Sequence, residues 1–124
     1  MGSTVLVVDD EPQITTLLKV ALQRVGYRVR TANSGREALR SALESPPQVI
    51  LMDIYMPDMS GEQVLREMMR HPQLRRVPVV LTTGEVDREP AVKGFSLLCK
   101  PFDLAQLYAT VRRAVAFASP GSAA

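Results

Sequence analysis

Four stretches of this chain run apolar residues straight into polar ones that can do chemistry. Val5-Leu6-Val7-Val8 leads into Asp9-Asp10-Glu11, and Val49-Ile50-Leu51-Met52 leads into Asp53. Val77 to Leu81 leads into Thr82-Thr83-Gly84, and Ser96-Leu97-Leu98-Cys99 leads into Lys100-Pro101. Carboxylates gathered at one place repel one another and need a counter-charge. A hard divalent cation with oxygen ligands supplies one, and Mg²⁺ commonly keeps water and phosphate oxygens in its shell. An ammonium such as Lys100 supplies another, and a threonine hydroxyl can donate to an anionic oxygen. A carboxylate, a metal ion, an ammonium and a hydroxyl make a phosphoryl-transfer site, where positioning and charge neutralisation do most of the catalysis. With Asp53 as nucleophile the product is an acyl phosphate.

Each residue alone has a plainer use. Asp9 and Asp10 can cap a following helix and favour its dipole. Asp53 can make the local turn hydrogen bonds that Asp often makes near a proline. Thr83 can be an ordinary β-branched strand residue, and Lys100 half of a surface ion pair. His71 stands near a helix end, where partnering the C-terminal dipole is a better account than catalysis. All four polar clusters falling at one edge is what these separate uses do not explain.

That edge has to be built by the rest of the chain. The apolar runs read as strands buried on both faces, as in parallel sheets. Pro12 suits the first turn of a helix in which Ile14, Leu17, Leu18, Ala21, Leu22 and Val25 recur at helical spacing before Gly26. Tyr27, Val29 and Thr31 alternate with Arg28 and Arg30, as on a sheet edge. Ser34 and Glu37 give a capping-box signature for a helix carrying Ala38, Leu39, Ala42 and Leu43, ended by Pro46-Pro47. Val64, Leu65, Met68 and Met69 mark a third helix closing near His71-Pro72. Leu104, Leu107, Tyr108, Val111, Ala114 and Val115 mark the last one. Strand and helix alternate through five strands. The pattern predicts an α/β fold, a doubly wound parallel sheet with helices on both faces joined by right-handed crossovers. Ligands bind outside the carboxyl ends of the strands in such sheets, which is where the polar clusters fall.

Composition sets the outer limits. A chain of 124 residues makes one domain, 1–124, with 119–124 a small-residue tail. A charged fraction of 23% and an apolar fraction of 46% argue against disorder. The net charge of +2 is too small to imply nucleic-acid binding. The single Cys99 favours a reducing compartment, no apolar run reaches the roughly 18–20 residues that span a bilayer, and the first residues lack a signal-peptide or myristoylation layout. A cytoplasmic location away from membranes is expected.

Val7-Val8-Asp9-Asp10-Glu11-Pro12, Met52-Asp53-Ile54-Tyr55-Met56-Pro57-Asp58-Met59-Ser60-Gly61, Pro78 to Thr83, and Lys100-Pro101-Phe102-Asp103 come in the order and spacing of a known family. Over nearly its whole length the chain resembles the receiver domain of two-component response regulators. The resemblance implies a flavodoxin-like strand order, 2-1-3-4-5. It implies that Asp53 accepts a phosphoryl group from the phosphohistidine of a histidine kinase or phosphotransfer protein, and that a downstream protein partner reads the change. Mg²⁺ would be held directly by Asp10, Asp53 and the Tyr55 backbone carbonyl, with Asp9 acting through water. Thr83, the Gly84 amide and Lys100 would stabilise the phosphoryl group. Tyr55 and Glu85 would set its lifetime, since the family's residues there flank the path of hydrolytic water. The Lys100–Pro101 bond would be cis. Such a domain catalyses only its own phosphorylation and dephosphorylation.

In one region the chain departs from the family. The segment between Thr83 and Lys100 is shorter than usual, and Gly84, Pro90 and Gly94 each work against a helix. Residues 84–95 are therefore expected to hold a shortened or irregular fourth helix, or a loop, with Phe95 as an anchor for a partner. Leu97 stands at the switch position where the family commonly has an aromatic ring. The symmetric dimer formed through the family's fourth helix is not expected, and the protein should be a monomer. Two other classes stay open: a pseudo-receiver that binds partners without phosphorylation, and an Asp-nucleophile phosphatase. The second normally resembles Asp-x-Asp at the nucleophile, where this chain has Tyr55.

Overall fold

The computed structural model describes residues 2–84 and 95–118. Five strands, β1 (Thr4–Val8), β2 (Arg28–Ala32), β3 (Val49–Asp53), β4 (Val79–Thr83) and β5 (Phe95–Cys99), form one sheet ordered β2-β1-β3-β4-β5. All neighbours pair in parallel. The described helices are α1 (Pro12–Gln23), α2 (Gly35–Glu44), α3 (Gly61–Met68) and α4 (Leu104–Ala118), α4 being the expected last helix. Of residues 84–95, where the irregular helix is expected, 85–94 lie outside the described residues, as does the tail 119–124, and Phe95 opens β5.

Two apolar layers enclose the sheet. On one face Leu6, Val8, Ile50, Met52 and Leu81 pack with Ala38 and Ala42 of α2 and Val64, Leu65 and Met68 of α3. On the other, Val5, Val7, Leu51 and Val80 pack with Leu22 of α1 and Leu107, Val111 and Ala114 of α4. β3 is buried along its whole length. This is the consequence of continuous apolar runs, which give each strand one side chain for each layer alternately.

Local chemistry sets most boundaries where the sequence places them. Pro12 occupies the first turn of α1, and the Gly26 amide donates to the Gln23 carbonyl (3.1 Å) after that helix. Gly26 has φ +97°, a left-handed conformation that a side chain would strain. Several expectations need correction. β4 begins at Val79 rather than Val77, because Val77 N–H is used in a turn onto Leu74 O (3.2 Å) and Pro78 has no N–H to offer. It also continues through Thr82 and Thr83, which are β-branched and fully buried. In α1 the buried residues are Thr15 and Leu22, with Leu18 and Ala21 partly covered. Leu17, expected in the core, is 66% exposed, since it falls off that stripe. Val25, Met69 and Leu104 are also half-exposed, each at or beyond a helix end. The expected capping box of α2 is half made. Ser34 Oγ accepts from Glu37 N–H (3.1 Å), but Glu37 reaches past the cap to Asn33 N–H (3.1 Å). The complete box is on α3, between Ser60 and Gln63. On the edge strand β2, Arg30 turns onto the end of α2, donating to Ser41 O (3.2 Å) and Ser45 O.

Candidate functional site

Each strand of the inner sheet delivers one part of the site at its carboxyl end. β1 ends at Val8, and Asp9 follows with its N–H still bonded to Ala32 O of β2 (3.2 Å). Asp53 is the last residue of β3, and Thr83 the last of β4. Lys100 follows β5, held by its own N–H to Thr83 O (2.7 Å) and followed by a cis bond to Pro101, as the resemblance implies.

The side chains converge. Carboxylate oxygens of Asp9, Asp10 and Asp53 all lie within 4.8 Å of one another. Lys100 Nζ lies 3.6 Å from Asp9 Oδ2 and 3.6 Å from Asp53 Oδ2. Asp9 and Asp53 are buried, Asp10 is exposed and Lys100 is partly exposed. Asp9 also accepts from Glu11 N–H (3.0 Å), while the residue at the start of α1, Glu11, makes no side-chain cap. Among the described residues neither Asp9 nor Asp10 accepts a hydrogen bond from an amide of α1, as a helix cap would. Nor does turn formation account for Asp53, whose contact with Tyr55 N–H is long at 3.4 Å.

Burial pushes the Asp53 carboxyl above its ordinary value. Lys100 pulls it back down, Asp9 raises it again, the Tyr55 N–H lowers it, and Asp10 raises it. Burial is the main cause of the net upward shift, and the charges of Asp9 and Asp10 add to it. Three oxygen-donating carboxylates with one ammonium are a donor set that fits a hard divalent cation such as Mg²⁺. Asp9, Asp10 and Asp53 each offer a carboxylate oxygen toward such an ion, and Asp9 and Asp53 each also meet Lys100 and one backbone amide.

The other expected residues fall as follows. Thr82, not Thr83, pairs with Asp53 in the register of β3 and β4. Thr83 is one step further, buried, beside Gly84, where a Cβ would meet nothing within 4 Å. Tyr55 is 42% exposed at the mouth of the site. Leu97 pairs with Leu81 in register and is 37% exposed, with no aromatic ring to turn. Glu85 is outside the described residues.

The sequence reading missed two bracing residues. Asp58 Oδ1 and Oδ2 accept from the Gly35 and Arg36 amides (3.0 Å each), clasping the β3–α3 loop to the start of α2. Burial works to raise the Asp58 carboxyl, but these hydrogen bonds outweigh it and hold the group below its ordinary value. Together with Ser34, Asp58 satisfies all four leading amides of α2, since Ala38 N–H bonds Ser34 O (3.0 Å). Asn33 Nδ2 donates to Asp9 O (2.9 Å) and Thr15 Oγ1 (3.3 Å). Neither contact has a signature in spacing, because each joins segments far apart in the chain.

Comparison with known proteins agrees with this geometry. Residues 5–112 match the response regulator receiver domain family. The regulatory protein AtoC of Escherichia coli is 40% identical over 116 residues, 90% of this chain and 25% of that protein. The transcriptional regulatory protein KdpE of Mycobacterium tuberculosis is 40% identical over 90% of this chain and 50% of its own length. The chain thus spans a quarter to a half of these bacterial relatives. Among solved structures, the chemotaxis response regulator CheY4 of Vibrio cholerae superposes with a TM-score of 0.86 at 33% identity, covering 92% of this chain and 99% of that one. The receiver domain of the sensor histidine kinase PA1611 of Pseudomonas aeruginosa, with a magnesium ion coordinated in its active-site cleft, gives 0.83 at 32% identity, over 93% and 98%. Among the described residues, no helix is long and apolar enough to cross a membrane.

Proposed function

The chain belongs to the response regulator receiver domain family, and from that premise we propose that it is a phosphorylation-dependent switch with Asp53 as phosphoacceptor. The observation that carries the reading is the Lys100 ammonium, 3.6 Å from both Asp9 and Asp53, inside a cluster of three carboxylates at the carboxyl edge of the sheet. An Asp53 oxygen attacks phosphorus of a histidine kinase or phosphotransfer protein's phosphohistidine. The P–O bond to aspartate forms as the P–N bond breaks, and the departing electron pair stays on the imidazole nitrogen, which takes a proton. Asp10, Asp53 and the Tyr55 carbonyl would hold Mg²⁺, with Asp9 acting through water, and the ion would supply charge neutralisation for the transferring phosphoryl oxygens.

Lys100 pairs with the transferred group once it sits on Asp53. Thr83 donates its hydroxyl and Gly84 its amide, a role supported by their place at the end of β4 next to the Lys100 amide. Tyr55, half-exposed at the mouth, shields the acyl phosphate from water, and Glu85 helps set its lifetime. The change in the β4 end is passed to a downstream protein through the segment leading to β5, with Leu97 in place of the usual ring. In this reading the domain turns over no external substrate, works as a cytoplasmic monomer and binds neither nucleic acid nor membrane itself.

Incubation with Mg²⁺ and a small phosphodonor, followed by intact mass, tests the function. A single phosphoryl adduct that is absent from Asp53→Asn is expected. No adduct on the parent would turn the reading to a phosphorylation-independent binding module, and continuous release of phosphate with repeated turnover to a phosphatase.

A further inference from the structure

The two acidic residues after β1 are not placed by β1 alone. The Asp9 N–H continues the ladder to β2, donating to Ala32 O (3.2 Å). The chain of β2 then turns away into α2 and leaves the Asp9 carbonyl without a backbone partner on that side. The half-buried side chain of Asn33 takes the carbonyl up, with Nδ2 2.9 Å from Asp9 O. The same nitrogen lies 3.3 Å from Thr15 Oγ1, which itself donates to Pro12 O (2.9 Å). One amide thus ties the beginning of the acidic loop to the first turn of α1. Asn33 is in turn fixed by its N–H to Glu37 Oε2 (3.1 Å) and stands next to Ser34, the cap of α2.

The carbonyl that Asn33 holds belongs to the Asp9–Asp10 peptide. That unit is planar, so fixing its oxygen fixes the direction in which the Asp10 Cα leaves the sheet. Asp10 needs this help more than its neighbours. It is exposed, whereas Asp9 is anchored by Glu11 N–H and Lys100 and Asp53 by a strand paired through to its last residue. We propose that Asn33 is a positioning residue for the acidic pair, holding the Asp9–Asp10 peptide so that the Asp10 carboxylate faces Asp53 before a cation arrives. The proposal rests on the reading of the site as Mg²⁺-dependent.

Two substitutions in the full chain separate positioning from the general field of the loop. Asn33→Ala removes the donor, and Asn33→Asp removes it while adding a negative charge. Simple attraction predicts that the aspartate variant binds Mg²⁺ more tightly than the parent. Positioning predicts that both variants bind more weakly, with the half-saturating Mg²⁺ concentration raised roughly tenfold, as for loss of other outer-shell partners. Calorimetric titration with Mg²⁺ reads the difference. In metal-free protein the Asp10 and Glu11 amides of both variants should also exchange hydrogen faster, while Thr15→Val, which leaves the Asp9 contact in place, keeps the parent's Mg²⁺ affinity. Parent-like affinity in Asn33→Ala, or tighter binding in Asn33→Asp, overturns the positioning role alone. A parent that does not bind Mg²⁺ overturns the reading of the site, and this role with it.

Discussion

Replacing Asp53 with Asn should stabilise the metal-free protein, although it abolishes the proposed chemistry. Asp53 is 9% exposed, its carboxylate lies within 4.8 Å of two others, and one ammonium stands 3.6 Å away. Unit charges about 4 Å apart interact by about 4 kcal/mol at an effective dielectric near 20. Burial of the carboxylate is the largest cost, and the repulsions of Asp9 and the exposed Asp10 work with it against the attraction of Lys100. Solvent reaches Asp10 and Lys100, and this screening cuts the balance to about 1–2 kcal/mol. The amide keeps the shape of the side chain and still accepts from Tyr55 N–H. Thermal melts in EDTA at pH 7 should show the variant melting about 3–8 °C above the parent.

The pH dependence has a definite sign. The folded state raises the Asp53 carboxyl above its ordinary 3.8, chiefly through burial. Ionised Asp53 therefore costs the folded state stability above that raised value, and the cost disappears as the pH falls toward 3.8. The advantage of Asp53→Asn should be largest near neutrality and shrink on acidification. A variant that melts at or below the parent at pH 7, or whose advantage grows in acid, would refute this electrostatic account of the cluster.

Four further outcomes are expected. Mg²⁺ should raise the melting temperature of the parent in proportion to its occupancy, and Asp10→Ala should lose most of that rise in the same melts. Thr83→Val should slow phosphorylation by a small phosphodonor roughly tenfold or more, as loss of a donor to the reacting oxygens does; a larger loss in Thr82→Val would assign the hydroxyl to the residue in register with Asp53. Asp58→Ala should cost about 0.5–2 kcal/mol in urea melts at neutral pH, the range for losing helix-capping oxygens. Because the Asp58 carboxyl is held below its ordinary value, that difference should be lost as the pH falls through the depressed value. Gly61→Ala should destabilise by about 1–3 kcal/mol in urea, since a Cβ there would lie 3.0 Å from both Asp53 O and Leu81 Cδ2.

The fold was legible because its strands are buried on both faces. Runs such as Val49–Met52 have no polar alternation to confuse them, and a polar residue at their end can only stand at the sheet's edge. The same logic places Asp9, Asp10, Asp53 and Lys100 at one edge, where their side chains meet. Less legible were features decided by tertiary neighbours. Leu17 and Thr15 exchange the places hydropathy assigns them, because the stripe of α1 that meets the sheet runs through Thr15 and Leu22. Thr82 and Thr83 look like a turn after an apolar run, yet register with β3 and β5 keeps them in the strand. Arg30, an edge-strand arginine by pattern, is drawn to the carbonyls at the end of α2. Asn33 and Asp58 act across gaps of 24, 23 and 22 residues, where local spacing carries no information.

The close approach at Gly61 has a consequence for how such a switch can be tuned. The loop after Asp53 closes on itself through Gly61 N–H to Ile54 O (2.7 Å), and Gly61 packs directly against the backbone of Asp53 and Ile54. Inside this ring Met56 is buried in the α2–α3 layer and Met59 is packed against it. Tyr55, Pro57 and Asp58 face solvent. The ring is moored to the strand at its two ends, through Gly61, and to the core by its methionines, and these contacts hold the backbone of Asp53 independently of the Tyr55 side chain. In the proposed switch, substitution at Tyr55 would then be expected to act as a separate dial on the lifetime of the acyl phosphate, while Asp53 keeps its place.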